Sequence, residues 1–412
     1  MNNLPDEFFP PNYVDGSIAN VPATIASLLN VPFVGLPPLR GDLWQPLAGD
    51  VRRVVLLIID SLGWQMVEKE RPLFDELMRG ETAVLHPITS IFPSTTVAAL
   101  SSFWTGVGPA QHGLAGLRLL IPEYGTVTQF INFTPDFGSY PNALVGAGMK
   151  PEEFLDAPGV AEQLQAANMP TYRFKGYQLV ASALSKMHGR GVKETFATIT
   201  TADMFVQMRN LLEEKAGESM YMAAYWPTID TMMHRYGWNH PAVAVELQTI
   251  FRQLKEQLLQ PLSEAARAGT VFLLAADHGQ IICPPAHYVH YDDHPQLAEM
   301  LLIRPTGEPR LPYFHARQGR QQDVLHYLQD HFAETMLALT GEEALAAGLL
   351  GPQPHSSETA VRVGDVVGLM RHDYAFVTAQ DLEYADRLYG RHGGMTRLEM
   401  QVPFLGMRLD RQ

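Results

Sequence analysis

Four short apolar runs mark the chain. VVLLIID (residues 54–60) is continuous and half β-branched, the pattern of a central strand covered on both faces, and it stops at Asp60. TVFLLAADHG (270–279) repeats the pattern and stops at Asp277 and His278. MYMAAYWPTID (220–230) predicts a third strand and VPFLGMRL (402–409) a fourth. Longer helical patterns lie between these runs, and that alternation predicts an α/β fold. Open α/β sheets take their ligands beyond the carboxyl ends of the strands, and three of the runs deliver acidic residues to that edge.

Residues 135–215 and 284–365 are less regular. Pro and Gly breaks precede helical stretches such as AEQLQAAN in the first, and PPAHYVHYDDHP and GPQPHSSET interrupt the second. Both segments are expected to insert cap elements over the sheet edge, within one catalytic domain spanning 1–412. The stretch IFPSTTVAALSSFWTG (91–106) sets Ser94, Thr95 and Thr96 directly ahead of an apolar run. Pro93 and the hydroxyls suit the start and cap of a helix. The free N–H groups of the same helix start also suit an anion, so a cap and a phosphate-facing hydroxyl are both open readings.

Composition narrows the field. With 412 residues, 46% hydrophobic and 18% charged, the chain is globular and long enough for a large core. A formal charge of -14 argues against a nucleic-acid polymer or an anionic membrane as partner, and leaves a small ligand. Cys283 is the one cysteine, which excludes an internal disulfide and a Cys-based zinc cluster. The N-terminal MNNLPDEFFPPNYVDG is acidic and broken by prolines, unlike a signal peptide. No stretch reaches the roughly 18 apolar residues of a membrane span, and a soluble, cytoplasmic protein is expected. There is no Gly-Lys dipeptide for a Walker-type loop and no G-x-S-x-G.

The remaining candidates are metal ligands. Asp230 and His234 stand four apart in PTIDTMMHRYG, so a helix starting near Asp230 turns both to one side. Asp60, Asp277 and His278 end strands, and His392 lies in GRHGGM, where glycines let backbone approach a ligand. Singly, each has a structural reading: a strand-end Asp caps a helix, and a lone His sits on the surface or in the core. Together, three carboxylates and three imidazoles at loop ends call for cations, and two divalent ions would engage all six, as in a two-metal hydrolase. His287, His290 and His294 in AHYVHYDDHP are left outside this set, in a proline-rich loop. Tyr225 and Trp226 read as core packing, with a pocket wall as the alternative.

In order along the chain, IIDSLGW, FPSTTVAALSSFWTG followed by AQHG, PTIDTMMHRYG, ADHG and RHGG resemble the alkaline phosphatase superfamily, in its type I phosphodiesterase / nucleotide pyrophosphatase branch. The resemblance spans roughly residues 50–408. It implies a central, mostly parallel sheet with helices on both faces and inserted cap elements. It further implies two divalent ions, zinc with manganese able to substitute. Asp60, Thr96, Asp277 and His278 would hold one ion, and Asp230, His234 and His392 the other. The family's nucleophile lies nine residues before the Thr of a Thr-Gly pair, which here is Thr96 counted back from Thr105. Ser94 and Thr95 then become cap and turn residues, and a phosphothreonine intermediate follows.

The chain departs from these relatives at Leu117, twenty-one residues after the nucleophile, where they carry an Asn that helps hold the phosphoryl group. Arg118 and Asn132 are the candidates to replace it. Thr96 in the nucleophile position argues against sulfatase chemistry, which needs Cys or Ser there. The expected activity is cleavage of a phosphodiester or pyrophosphate bond in a small phosphorylated substrate. A phosphomonoesterase or phosphonate hydrolase is the alternative within the superfamily. It needs added positive charge, for which Arg118 and Lys175 are the residues at hand. A catalytically silent binding protein is the third reading, opposed by the complete set of ligands.

Overall fold

The computed structural model describes residues 4–80, 82–138, 140–382 and 388–410. Its main sheet has seven strands in the order Thr82–Thr89, Gln401–Arg408, Thr270–Ala275, Arg53–Ile59, Met220–Trp226, Thr171–Gly176 and Glu194–Thr198. Pairing is parallel except at Gln401–Arg408, which runs against both neighbours. Arg53–Ile59 and Thr270–Ala275 are buried at every residue, so both faces of the sheet centre are covered, as their unbroken apolar sequences require. Leu100 and Phe103 of the helix Thr96–Thr105, and Leu247, Ile250 and Phe251 of the helix Pro241–Gln253, belong to the same core as these strands.

Register brings the strand ends level. Ile59 pairs with Trp226, and Ile58 with Ala275. Asp60, Asp277 and the helix Thr228–Tyr236, which carries Asp230 and His234, therefore start from one edge.

A second seven-stranded sheet, joined by antiparallel pairs, runs in the order Met336–Thr340, Val366–Met370, Leu311–Phe314, Thr306–Glu308, Arg118–Ile121, Thr126–Gln129 and Thr134–Pro135. It encloses a core of its own, with Leu119, Phe130, Tyr313 and Val367. Segment 284–365 contributes to this sheet together with residues 118–135. Segment 135–215 divides differently from the expectation. From residue 171 onward it supplies the last two strands on one side of the main sheet, Thr171–Gly176 and the edge strand Glu194–Thr198, and the helix Thr201–Glu214 that packs beside them. Arg173 and Lys175, both buried, break the apolar run in TYRFKG and hide its strand character. Among the described residues no helix is long and apolar enough to cross a membrane.

Candidate active site

Two groups of three candidate metal ligands form at the carboxyl edge of the main sheet: Asp60, Asp277 and His278, all buried, and Asp230, His234 and His392, partly buried. Within each group the ligand atoms lie within 4.8 Å of one another. His278 Nε2 is 3.6 Å from Asp60 Oδ1 and 3.5 Å from Asp277 Oδ2. Asp230 Oδ1 is 3.4 Å from His234 Nε2 and 3.8 Å from His392 Nε2. The rings of His278 and His392 stack with centroids 3.9 Å apart, which joins the two groups.

The three imidazoles share one arrangement. Nδ1 of His278 faces the carbonyl of Gly279 at 3.0 Å, Nδ1 of His234 that of Gly390 at 2.7 Å, and Nδ1 of His392 that of Ser94 at 3.1 Å. A carbonyl only accepts, so each Nδ1 carries the proton and donates it, leaving the Nε2 lone pair turned toward the carboxylates. Asp60 Oδ1 and Asp277 Oδ2 are buried with no hydrogen-bond partner. These orphaned oxygens beside the His278 lone pair, and Asp230 Oδ1 beside those of His234 and His392, form a donor set with no positive charge of its own. The residues present thus fit divalent ions with nitrogen and oxygen ligands.

The electrostatics agree. Asp60 is pushed well above the usual carboxylate range, by burial first and then by Asp277 and Asp230. The Tyr225 hydroxyl donates to Asp60 Oδ2, so this residue orients a candidate ligand as well as packing the strand. Burial holds His392 well below the ordinary imidazole value, helped by His278 and His234. Asp277 Oδ1 accepts from the backbone N–H groups of Ser61 and His278, each at 3.0 Å.

Thr96 opens the helix Thr96–Thr105, and its Oγ1 lies 3.1 Å from His278 Nε2. Ser94 and Thr95 do not cap this helix, which starts three residues after Pro93 with no side-chain cap at its N-terminus. Ser94 Oγ instead donates to the carbonyl of Gly394 at 2.7 Å and accepts from Gly393 N–H at 3.2 Å, clamping the loop that carries His392. Thr95 directs its hydroxyl to Glu308. Gly393 has φ +110°, and a Cβ there would lie 3.0 Å from the Glu308 side chain, so glycine is required for this approach. Behind the loop, Arg310 and Glu399, both fully buried, form an ion pair at 2.9 Å, and Glu399 accepts from Gly394 N–H.

A cleft of about 480 Å³ opens over Thr96, Asp230, His234 and His392. Arg118 and Asn132 both line it. Arg118 is ion-paired with Asp381 at 3.0 Å, and Asn132 is exposed. Leu117 lines it too, and its backbone N–H donates to Glu308 Oε1 at 2.9 Å. Burial pushes Glu308 up to about 7, against the pull of Thr95, the Leu117 N–H and Arg118. Lys175 is not in this cleft. It is buried in a separate small space between Arg173 and Tyr225 and donates to Ser185 Oγ at 2.6 Å, because its strand turns it into the core. His287 bonds to Asp373 at 2.8 Å and His294 to Tyr327 at 2.9 Å, and neither they nor His290 join a metal-type group among the described residues. Ser94, Tyr225, Glu308 and Glu399 thus gain places around the site that their sequence setting did not assign. Tyr225, on the strand that leads to Asp230, carried the one available signal.

Among solved structures, murine ectonucleotide pyrophosphatase / phosphodiesterase 5 is similar at 16% identity, over 86% of this chain and 87% of that one, with a TM-score of 0.63. An inactive form of the same protein in complex with AMP gives 0.62, at the same identity and coverage. Phosphonoacetate hydrolase from Sinorhizobium meliloti, in complex with phosphonoacetate, is 17% identical over 85% and 89% of the two chains, with a TM-score of 0.62. At these identities the likeness is one of fold, the mostly parallel sheet of the alkaline phosphatase superfamily. No curated protein matches the sequence. The type I phosphodiesterase / nucleotide pyrophosphatase family model matches residues 54–395, a span that holds both groups of candidate ligands and Thr96, and the chain belongs to that family.

Proposed function

We propose that the protein is a two-metal hydrolase that cleaves phosphodiester or pyrophosphate bonds of small substrates through a phosphothreonine intermediate on Thr96. The observation that carries this reading is the position of Thr96 Oγ1, 3.1 Å from His278 Nε2, at the open end of a helix and beside both ligand groups. Asp60, Asp277 and His278, with Thr96, would hold one ion, and Asp230, His234 and His392 the other. Zinc suits the mixture of carboxylate and imidazole, and manganese can substitute. When bound, two divalent ions favour the ionised hydroxyl and neutralise charge on the attacking and leaving oxygens.

The chain's own residues supply the positioning. Tyr225 fixes the Asp60 carboxyl, and the three carbonyls fix the imidazoles in the ligating tautomer. The uncapped N-terminus of the helix Thr96–Thr105 presents N–H groups to phosphoryl oxygens. Thr96 Oγ1 attacks phosphorus, the ester oxygen opposite leaves, and water later cleaves the phosphothreonine ester. A phosphomonoesterase or phosphonate hydrolase is less well supported: Arg118, its candidate cation, is already engaged by Asp381. The test is acid quenching during turnover of a chromogenic phosphodiester, followed by peptide mass spectrometry. A phosphoryl group on Thr96 is expected. A group trapped on Ser94 or Thr95, or undiminished turnover in Thr96→Ala, would overturn the assignment.

A further inference from the structure

We infer that Glu308 is a specificity-determining residue that turns this cleft toward phosphodiesters and against phosphomonoesters, an inference that rests on the hydrolase reading above. Glu308 ends the strand Thr306–Glu308, is 4% exposed, and lines the same cleft as Thr96, Asp230 and His392. Three loops fix its place. The Leu117 N–H and the Thr95 hydroxyl donate to its carboxyl group, and Gly393 leaves room for its side chain on the third side. A carboxyl group therefore stands beside the nucleophile, held by the backbone amide of the very residue, Leu117, whose side chain offers no donor.

No cation forms an ion pair with it among the described residues. Arg118 pairs with Asp381, and Arg391, 4% exposed, lies over the Tyr288 ring and donates to its hydroxyl. A phosphodiester brings one negative charge to this place, whereas a phosphomonoester at neutral pH brings between one and two. The additional charge meets the Glu308 carboxylate in a partly desolvated cleft, and discrimination by a like-charge contact follows.

Glu308→Gln tests this. The amide keeps the volume and an acceptor for the Leu117 N–H while removing the charge. With the full-length, metal-loaded protein at about pH 9, where a group with a value of about 7 is ionised, kcat/KM is measured for p-nitrophenyl phosphate and for its methyl diester. The diester-to-monoester ratio is expected to fall about tenfold or more, through a gain on the monoester. An unchanged ratio, or an equal loss on both esters, overturns the inference. If Glu308→Gln does not fold, Glu308→Asp keeps the charge, and its ratio must stay on the diester side; a swing toward the monoester counts against the inference. Affinities for inorganic phosphate and dimethyl phosphate, compared between the wild-type protein and Glu308→Gln, separate the two levels. Absence of hydrolysis of either ester by the wild type removes the hydrolase reading. The phosphate-to-dimethyl-phosphate affinity ratio still has to rise in the variant for the role of Glu308 to stand.

Discussion

Asp60 is a proposed metal ligand, yet Asp60→Asn is expected to stabilise the metal-free form. The Asp60 and Asp277 ligand oxygens lie within 4.8 Å of each other, so two ionised carboxylates there repel by about 3.5 kcal/mol at an effective dielectric of about 20. That repulsion, added to burial, is why Asp60 sits well above its unfolded value of 3.8. The sign follows from the raised value. The folded metal-free protein keeps a proton on Asp60 that the unfolded chain has released, so this contribution to stability is complete below 3.8 and is lost as pH rises through the folded value. The amide carries no such charge, can still accept from Tyr225, and should flatten the loss. After partial relaxation, a gain of about 2 kcal/mol corresponds to about 2 K in Tm for a 412-residue chain, at about 2.1 cal/mol/K per residue. Metal acts in the opposite sense. An ion at about a thousand times its Kd adds about 4 kcal/mol, or about 5 K, and two ions about twice that. Calorimetry of chelated and zinc-loaded protein across pH, with elemental analysis of each sample, reads all of these quantities. The wild type should gain on loading and bind about two ions, whereas Asp60→Asn should melt higher when chelated and gain less when loaded. A variant that melts lower when chelated and still binds two ions would refute the reasoning.

Thr96→Ala should lose nearly all turnover while retaining the ion at Asp230, His234 and His392; Thr96→Ser should keep reduced activity, since it retains the oxygen but loses the methyl that restricts its rotamer. Activity assays with metal analysis check both. Ser94→Ala leaves the Gly394 carbonyl and Gly393 N–H without their partner and should cost about 1–3 kcal/mol, with lower occupancy of the His392 site, read from Tm and metal titration. Arg310→Met leaves buried Glu399 without its counter-ion and should cost about 3–5 kcal/mol, detectable by denaturant unfolding.

The parts of the molecule that were legible in the sequence are those where one segment is sufficient evidence. VVLLIID and TVFLLAADHG announce buried parallel strands because every position must be apolar, and the polar residues that end them must emerge at the sheet edge. Asp230 and His234 are legible because one helix fixes their relation. The strand TYRFKG is hidden because Arg173 and Lys175 are buried through hydrogen bonds to Ser185 and Thr195 from elsewhere in the chain. Glu308 is bound by a residue 191 positions away, and Ser94 by one 300 positions away. Contacts of that kind between a side chain and distant backbone leave no period in the sequence.

The run of three hydroxyls shows what local reading can and cannot decide. Helix propensity assigns Ser94 and Thr95 to a cap, because both side chains readily accept from N–H groups one turn ahead. Thr95 is extended, with φ -131° and ψ 142°, and in extended backbone successive side chains point in opposite directions. Both residues find partners outside the helix: Ser94 clasps the loop of His392, and Thr95 holds Glu308. Their departure leaves the helix N-terminus open beside Thr96, and an open N-terminus is the feature that an anionic substrate requires. The same two contacts tie the placement of Thr96 to that of His392 and Glu308. Proposed nucleophile, proposed metal ligand and proposed charge filter therefore form one mechanical unit, and a change at any one of them should be read in the geometry of the other two.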